Sequence, residues 1–320
     1  MAVRGKKIWL DGEMHDWDKV FIHPVNQSLH YGLGVFEGLR FYSHHKKDTS
    51  VIFRLRDHTE RFFNAVKVLG LTMSYSKDDV DRAIVETVRA NECPEGYIRP
   101  LVFLGGATKS VGDLVLVENS EMGFVEVSQV HLMVAVWPWG TYLGPEALEK
   151  GIRLVVVYVP RPHLSYAKIC GNYPATLITK QLALKSGYDE GLQLCEDLVA
   201  EASAANIFIV KNNRLITPPL TASILPGITR DAIMTIARDP WFPTGVKAVE
   251  ERGFSVSELY AADECFLCGT AVEVTPVREV DNRTIGLGMA GPITKKLQKI
   301  YFKIVHGESR EYDGWLTEVK

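Results

Sequence analysis

The chain has 320 residues, 46% of them hydrophobic and 23% charged, with a formal net charge of -3 at pH 7. That length suits about two domains with separate cores, and that charge leaves no footprint for nucleic acid or an anionic membrane as partner. No apolar run approaches the ~20 residues that span a bilayer, and the start Met1-Ala-Val-Arg-Gly-Lys-Lys-Ile-Trp-Leu10 lacks an apolar signal core, so a cytoplasmic location is expected.

Lys7-Ile-Trp-Leu-Asp-Gly-Glu-Met14 reads as a hairpin turning at Asp11-Gly12. Residues 35–42 and 51–54 read as strands. Asp57 is placed to cap a helix whose apolar face is Phe62, Val66 and Leu69, with Gly70 as its stop. Ser76 starts a second helix with Val80, Ala83, Ile84 and Val88 on one face. Residues 97–103 return to strand, 105–129 show no clear period and read as a long loop, and 130–139 form a strand running into Pro138. The turn-rich Gly140-Thr-Tyr-Leu-Gly144 marks the domain connection. The expected division is a small N-terminal domain over 1–133, a linker over 134–146 and a large C-terminal domain over 147–320.

In the second part, strands are predicted near 152–159, 190–195, 206–210 and 264–268. Helices are predicted from Pro174 to Lys185, from about Thr229 to Arg238, and after Pro292. Pro174 suits a first helical position and Gly187 a stop. The mixture is α+β, without the regular alternation of a Rossmann sheet. Gly286-Leu-Gly-Met-Ala-Gly291 satisfies G-x-G-x-x-G, but a polar segment precedes it and too little chain remains for a βαβ unit of ~30 residues, so it reads as a loop. The cysteines Cys93, Cys170, Cys195, Cys265 and Cys268 are odd in number and scattered, which argues against a disulfide framework. Cys265 and Cys268 form a C-x-x-C inside a strand-like run with no second ligand pair, so they read as buried thiols and no metal site is expected.

The chemistry centres on Lys168, in Tyr166-Ala-Lys-Ile-Cys-Gly-Asn-Tyr173. A lysine beside apolar residues ordinarily snorkels to solvent; a desolvated one loses its proton more readily and becomes an amine nucleophile. Three segments follow it in order: Glu201-Ala-Ser-Ala-Ala-Asn206, Leu225-Pro-Gly-Ile-Thr-Arg230 and Cys268-Gly-Thr-Ala271. Glu201 is either a plain strand glutamate or an anion for a bound ring; the small residues around it, Ala200 and Ala202 to Ala205, let backbone approach a ligand, and Asn206 can hold the turn. Gly227, with the Ile228 and Thr229 amides and the Thr229 hydroxyl, is either an ordinary turn and cap or a phosphate seat at a helix N-terminus. Pyridoxal 5'-phosphate needs an amine for its aldehyde, an anion for its ring nitrogen and amide donors for its phosphate.

In this order of segments the chain resembles the fold-type IV pyridoxal-phosphate enzymes, and within them the branched-chain amino acid aminotransferases, over residues 8–315. The resemblance implies two α/β domains joined by a short linker with the active site between them, and a homodimer or an assembly of dimers. It implies that Arg61 and the Gly269-Thr270 turn complete the phosphate seat, that Leu225 packs on the ring and that Tyr173 bonds its phenolic oxygen. Tyr97 and Arg99 match the family's Tyr-x-Arg at the carboxylate position, with the Thr270 and Ala271 amides nearby. Tyr31, Phe36, Trp137 and Tyr142 are implied as the wall for an apolar side chain, with Gly38 and Arg40 in the same stretch as Phe36. Glycine is usual where this chain has Ala202. The implied reaction passes the amino group of leucine, isoleucine or valine to 2-oxoglutarate, yielding glutamate. A D-amino acid aminotransferase, an (R)-selective amine transaminase and an aminodeoxychorismate lyase would share Lys168 and Glu201, whereas Tyr97-Ile-Arg99 and Arg40 favour the branched-chain reading. A non-enzymatic anion-binding module is the alternative of another class.

Overall fold

The computed structural model describes residues 4–123, 127–162 and 164–319; residues 1–3 of the basic start, 124–126 of the expected loop and the last residue lie outside that range. Asp11 and Gly12 take φ of 48° and 104°, the left-handed pair that a two-residue hairpin requires, and so fold β1 (Lys7–Leu10) onto β2 (Glu13–Asp16) as expected. There follow β3 (Val20–Ile22), α1 (Gln27–Tyr31), β4 (Gly34–Phe36), β5 (Leu39–Ser43) and β6 (Ser50–Phe53). Next come α2 (Leu55–Val68), α3 (Lys77–Asn91), β7 (Gly96–Gly105), β8 (Thr108–Val111), β9 (Leu114–Val117) and β10 (Gln129–Trp137).

Among the described residues, one sheet runs β2-β1-β10-β7-β5-β6, with the C-terminal strand Leu316–Val319 beyond β6 and β4 paired to β7. Successive side chains of a strand face opposite ways. Val35, Leu39, Phe41, Ile98, Val102, Val134 and Val136 join the core that Phe62, Val66, Ile84 and Val88 of α2 and α3 complete. Their neighbours Phe36, Arg40, Tyr97, Arg99 and Trp137 therefore stand on the other face, and register aligns Tyr97 with both Trp137 and Arg40. One face of this sheet is core, and the other carries chemistry.

Three local expectations are corrected here. The strand over 35–42 breaks at Glu37 and Gly38. Asp57 is not the cap of α2: the helix starts at Leu55 behind Arg54 in a left-handed turn (φ 51°), and Asp57 accepts from Arg54 Nε and a terminal guanidinium nitrogen, each at 2.7 Å. The stretch 105–129 is not all loop, because β8 and β9 pair around Gly112 and β9 lies parallel to β3 in a small sheet. All four β8 side chains are exposed, which erases the alternation that would have marked a strand. Ser76 does cap α3, in a reciprocal capping box with Asp79.

The second part holds α4 (Pro145–Lys150), β11 (Ile152–Val157), α5 (Tyr173–Lys185), β12 (Glu190–Cys195), β13 (Leu198–Ala202), β14 (Asn206–Lys211), β15 (Arg214–Thr217) and α6 (Ile228–Arg238). It continues with β16 (Ala248–Glu251), α7 (Val256–Tyr260), β17 (Glu264–Gly269), β18 (Glu273–Val280), β19 (Arg283–Thr284) and α8 (Pro292–Val305). Its sheet runs β13-β12-β11-β18-β17-β14-β15-β16 with parallel and antiparallel pairs mixed, an α+β arrangement. Cys265 and Cys268 are buried free thiols on β17, and burial pushes both far above the usual thiol range. The G-x-G-x-x-G segment is the turn before α8, with Gly286 and Gly288 at φ of 51° and 71°. Glu264 reaches from β17 to accept from the Ile293 and Thr294 amides at 3.0 and 2.7 Å, which satisfies the first turn of that helix.

Packing divides the chain into two compact units that are discontinuous in sequence. One takes Met1–Trp139, Ala167–Asn172 and Val305–Lys320; the other takes Gly140–Tyr166 and Tyr173–Ile304. The ranges expected from sequence, 1–133 and 147–320, treat each domain as one stretch. Two pairings depart from that: Leu316↔Phe53 brings the C-terminal strand to β6, and Val35↔Ile169 ties 167–172 to β4.

Candidate active site

Lys168 owes its setting to its neighbours. Ala167 and Ile169 are 3% and 4% exposed and belong to the first unit's core, so the residue between them is turned the other way. The Phe36 amide donates to the Lys168 carbonyl at 3.1 Å, and Gly171 donates to the Gly32 carbonyl at 3.0 Å, which fixes the segment. The amine lies 5.0 Å from the centre of the Phe36 ring. Desolvation, and next the Arg61 guanidinium, lower the Lys168 pKa from the ordinary lysine value; Glu37 and Tyr97 oppose this, and Arg99 adds to it. A lowered pKa leaves more of the amine neutral at physiological pH, the form that attacks a carbonyl.

Arg61 does not project from a helix surface. Its Nε and a terminal nitrogen clasp Glu37 at 2.7 and 2.9 Å, and His58 Nδ1 meets the same carboxylate at 2.8 Å. Burial alone would raise the Glu37 pKa, but the Arg61 guanidinium and the His58 ring hold it well below the usual carboxylate range. Burial in turn lowers the His58 pKa, against the pull of Glu37. The bidentate grip fixes the plane of the guanidinium.

Arg99 sits in an aromatic cage, its guanidinium carbon 4.4 Å from the Phe36 ring centre, 5.3 Å from Tyr97 and 5.9 Å from Trp137. It donates to the Tyr97 hydroxyl at 3.3 Å. Its Nε and the Trp137 indole N–H are buried and find no hydrogen-bond partner among the described residues. Buried donors cost free energy when unsatisfied, so two of them in one cluster point to a ligand acceptor. A Cβ on Gly38 would lie 1.8 Å from the Tyr97 hydroxyl, so only glycine leaves that phenol its place. Arg40 donates to the Trp139 carbonyl at 3.1 Å and stacks on Tyr42. Tyr31, on α1, donates to the Met122 carbonyl at 3.1 Å.

In the second unit Glu201 is 6% exposed on β13, not a surface glutamate. It accepts from Asn206 Nδ2 at 2.8 Å and from the Leu225 amide, and it is ion-paired to Arg161. Arg161 is held by the Gln193 side chain at 2.8 Å and the Ser223 carbonyl at 3.0 Å. Asn206 also donates to the Leu225 carbonyl at 3.0 Å, joining the carboxylate to the segment that opens α6. A Cβ on Gly227 would lie 1.9 Å from Asn206 Oδ1, so this approach too requires glycine. Ile228 and Thr229, both buried, supply the first amides of α6. Gly269 ends β17, and Thr270 and Ala271 form the turn into β18. Tyr173 is the first residue of α5, and Tyr142 lies on the exposed turn before α4.

Each unit by itself offers groups that suit the phosphorylated pyridine aldehyde that the sequence suggests: the first a desolvated amine and buried donors for anions, the second a buried carboxylate wired to a helix N-terminus. Sequence reasoning missed Glu37, His58, Arg161 and Gln193. A signal existed for two of them, since Glu37 lies between Phe36 and Gly38 and Arg161 is a lone charge between two prolines.

Comparison with known proteins adds three findings. Residues 34–280 match the family described as amino-transferase class IV. The branched-chain-amino-acid aminotransferase of Pseudomonas aeruginosa is 41% identical, over 100% of this chain and 99% of that one. Among solved structures, the Escherichia coli branched-chain amino acid aminotransferase superposes with a TM-score of 0.89 at 38% identity, covering 99% of this chain and 100% of that one. The T.th. branched-chain amino acid aminotransferase complexed with N-(5'-phosphopyridoxyl)-L-glutamate gives 0.87 at 35% identity, covering 100% of both.

Proposed function

The chain belongs to the class IV aminotransferases, and from that premise we propose how its side chains divide the work. It has the fold of type IV pyridoxal-phosphate enzymes and uses pyridoxal 5'-phosphate. It transfers the amino group of branched-chain L-amino acids to 2-oxoglutarate, giving branched-chain 2-oxo acids and L-glutamate. When bound, the cofactor supplies an electron sink for the pair left when the substrate Cα–H bond breaks.

With the cofactor bound, Lys168 would hold it through Nζ, and the same nitrogen would carry the substrate Cα proton. Desolvation lowers its pKa and so leaves more of the amine in the neutral form that can accept a proton. We assign Glu201, with Arg161 as its counter-charge, to the ring nitrogen, Tyr173 to the phenolic oxygen and Leu225 to the ring face. Gly227, Ile228, Thr229, Arg61, Gly269 and Thr270 are assigned to the phosphate. Tyr97, Arg99, Arg40 and the Thr270 and Ala271 amides are assigned to carboxylates; Tyr31, Phe36, Gly38, Trp137 and Tyr142 are assigned to the substrate side chain. The observation that carries this reading is Lys168, desolvated against Phe36 beside Arg61.

Arg99 decides how one apolar wall accepts both leucine and glutamate. Arg99→Leu should lose glutamate and 2-oxoglutarate by about two orders of magnitude or more, since an unpaired buried charge costs ~3–5 kcal/mol. Leucine should lose far less. Each half-reaction is measured alone in single turnover. Equal losses would make Arg99 a partner of the α-carboxylate only, and no loss would remove it from the site.

We also propose that the protein works as a homodimer or an assembly of dimers in the cytoplasm. Along α5, Leu177, Ile178, Leu182 and Leu184 are exposed while only Thr179 and Ala183 are buried, and Leu29 and Tyr31 on α1 are exposed as well. Exposed apolar side chains on each unit favour burial against a second copy. The five free cysteines suit a reducing compartment. Sedimentation velocity should find a dimer or larger; a fully active monomer would overturn the assembly.

A further inference from the structure

Tyr142 lies on a permissive turn. Gly140 and Gly144 flank it with open space around both, and Gly144 takes φ of 82°. A side chain carried on such a turn needs an external post if it is to meet a substrate in one orientation. Lys180 of α5 is that post. Its Nζ lies 5.5 Å from the Tyr142 ring centre, within the range of a cation–π contact.

The lysine is itself held. It donates to the Asp189 carbonyl at 2.6 Å and to Glu190 Oε2 at 3.0 Å. Glu190 is 1% exposed, and its other oxygen accepts from the Ser203 hydroxyl at 2.6 Å and the Gly191 amide at 2.7 Å. The Ser203 amide donates to the Gly191 carbonyl at 3.0 Å, and Ser203 lies two residues past Glu201. A buried carboxylate needs a counter-charge, so this network removes the flexibility that a surface lysine would keep.

We propose that Lys180 is a positioning residue for substrate side-chain recognition: clamped by the Asp189 carbonyl and by Glu190, which Ser203 holds in turn, it fixes the Tyr142 ring. The inference rests on the assignment of Tyr142 to the substrate side chain. The test compares kcat and KM for leucine and 2-oxoglutarate in the holoenzyme and its variants. Lys180→Met alone would strand the Glu190 charge, so the informative variant is the pair Lys180→Met with Glu190→Gln, checked for an unchanged melting temperature. It should raise KM about fivefold with little change in kcat, the scale of one lost cation–π contact. Lys180→Arg keeps a cation and should restore the wild-type KM. Tyr142→Leu should raise KM by a similar factor, and adding the paired substitution to it should change nothing further. Full additivity, or an unchanged KM in the paired variant while Tyr142→Leu still raises it, would overturn the positioning role alone. An unchanged KM in Tyr142→Leu would overturn the assignment of Tyr142 and this inference with it.

Discussion

Lys168→Ala should abolish transamination, with the leucine half-reaction slowed by more than about 10³-fold, because the one amine is proposed both as covalent anchor and as proton carrier. Alanine keeps the Phe36–Lys168 backbone hydrogen bond and the Val35↔Ile169 bridge, both made by the main chain, so folding should persist. Borohydride treatment of the wild-type holoenzyme followed by peptide mapping should place the pyridoxyl label on Lys168. Label on another lysine, or undiminished turnover in the variant, would dismiss the assignment. The direction of the pKa shift gives a second readout. A lowered value leaves a larger neutral fraction as pH rises from the acid side, so Lys168 of the apoenzyme should be acylated at lower pH than the exposed lysines.

Glu201→Gln should slow proton removal from leucine by about two orders of magnitude while conserving side-chain shape, since the amide supplies no anion for a protonated ring. The structure adds a consequence that a surface glutamate would not have. Arg161 is 8% exposed and loses its carboxylate partner, so stability should fall as well, by up to ~3–5 kcal/mol as for other broken buried pairs. Replacing Arg161 by methionine in the same chain should recover part of the stability and none of the rate. A wild-type single-turnover rate in Glu201→Gln would show that the carboxylate has another task.

What could be read from the sequence was what local chemistry determines. Ser76 starts and caps α3, Asp11-Gly12 closes its own hairpin, and the order of the segments after Lys168 suggests that lysine as the amine. Relations across long spans could not be read. Arg61 finds Glu37 24 residues away, Arg161 finds Glu201 40 residues away, and β8 pairs with β9, which in turn pairs with β3. Asp57 misled because an aspartate near a helix start usually caps it; here a left-handed Arg54 begins the helix early and takes the carboxylate for itself. The same limit hid the C-terminal strand, whose partner in β6 lies at the opposite end of the chain.

That last pairing governs how the protein is made. A ribosome delivers Ser50–Phe53 long before Leu316–Val319, so until the later strand arrives one edge of β6, the one not paired with β5, waits with its amides and carbonyls open. Ala167–Asn172, which carries Lys168, also arrives long after the strand it joins. The unit that holds β6 can therefore close its sheet only after most of the second unit has been made. Until then an exposed strand edge is open to pairing with a neighbouring nascent chain, and the need to shield it falls on chaperones.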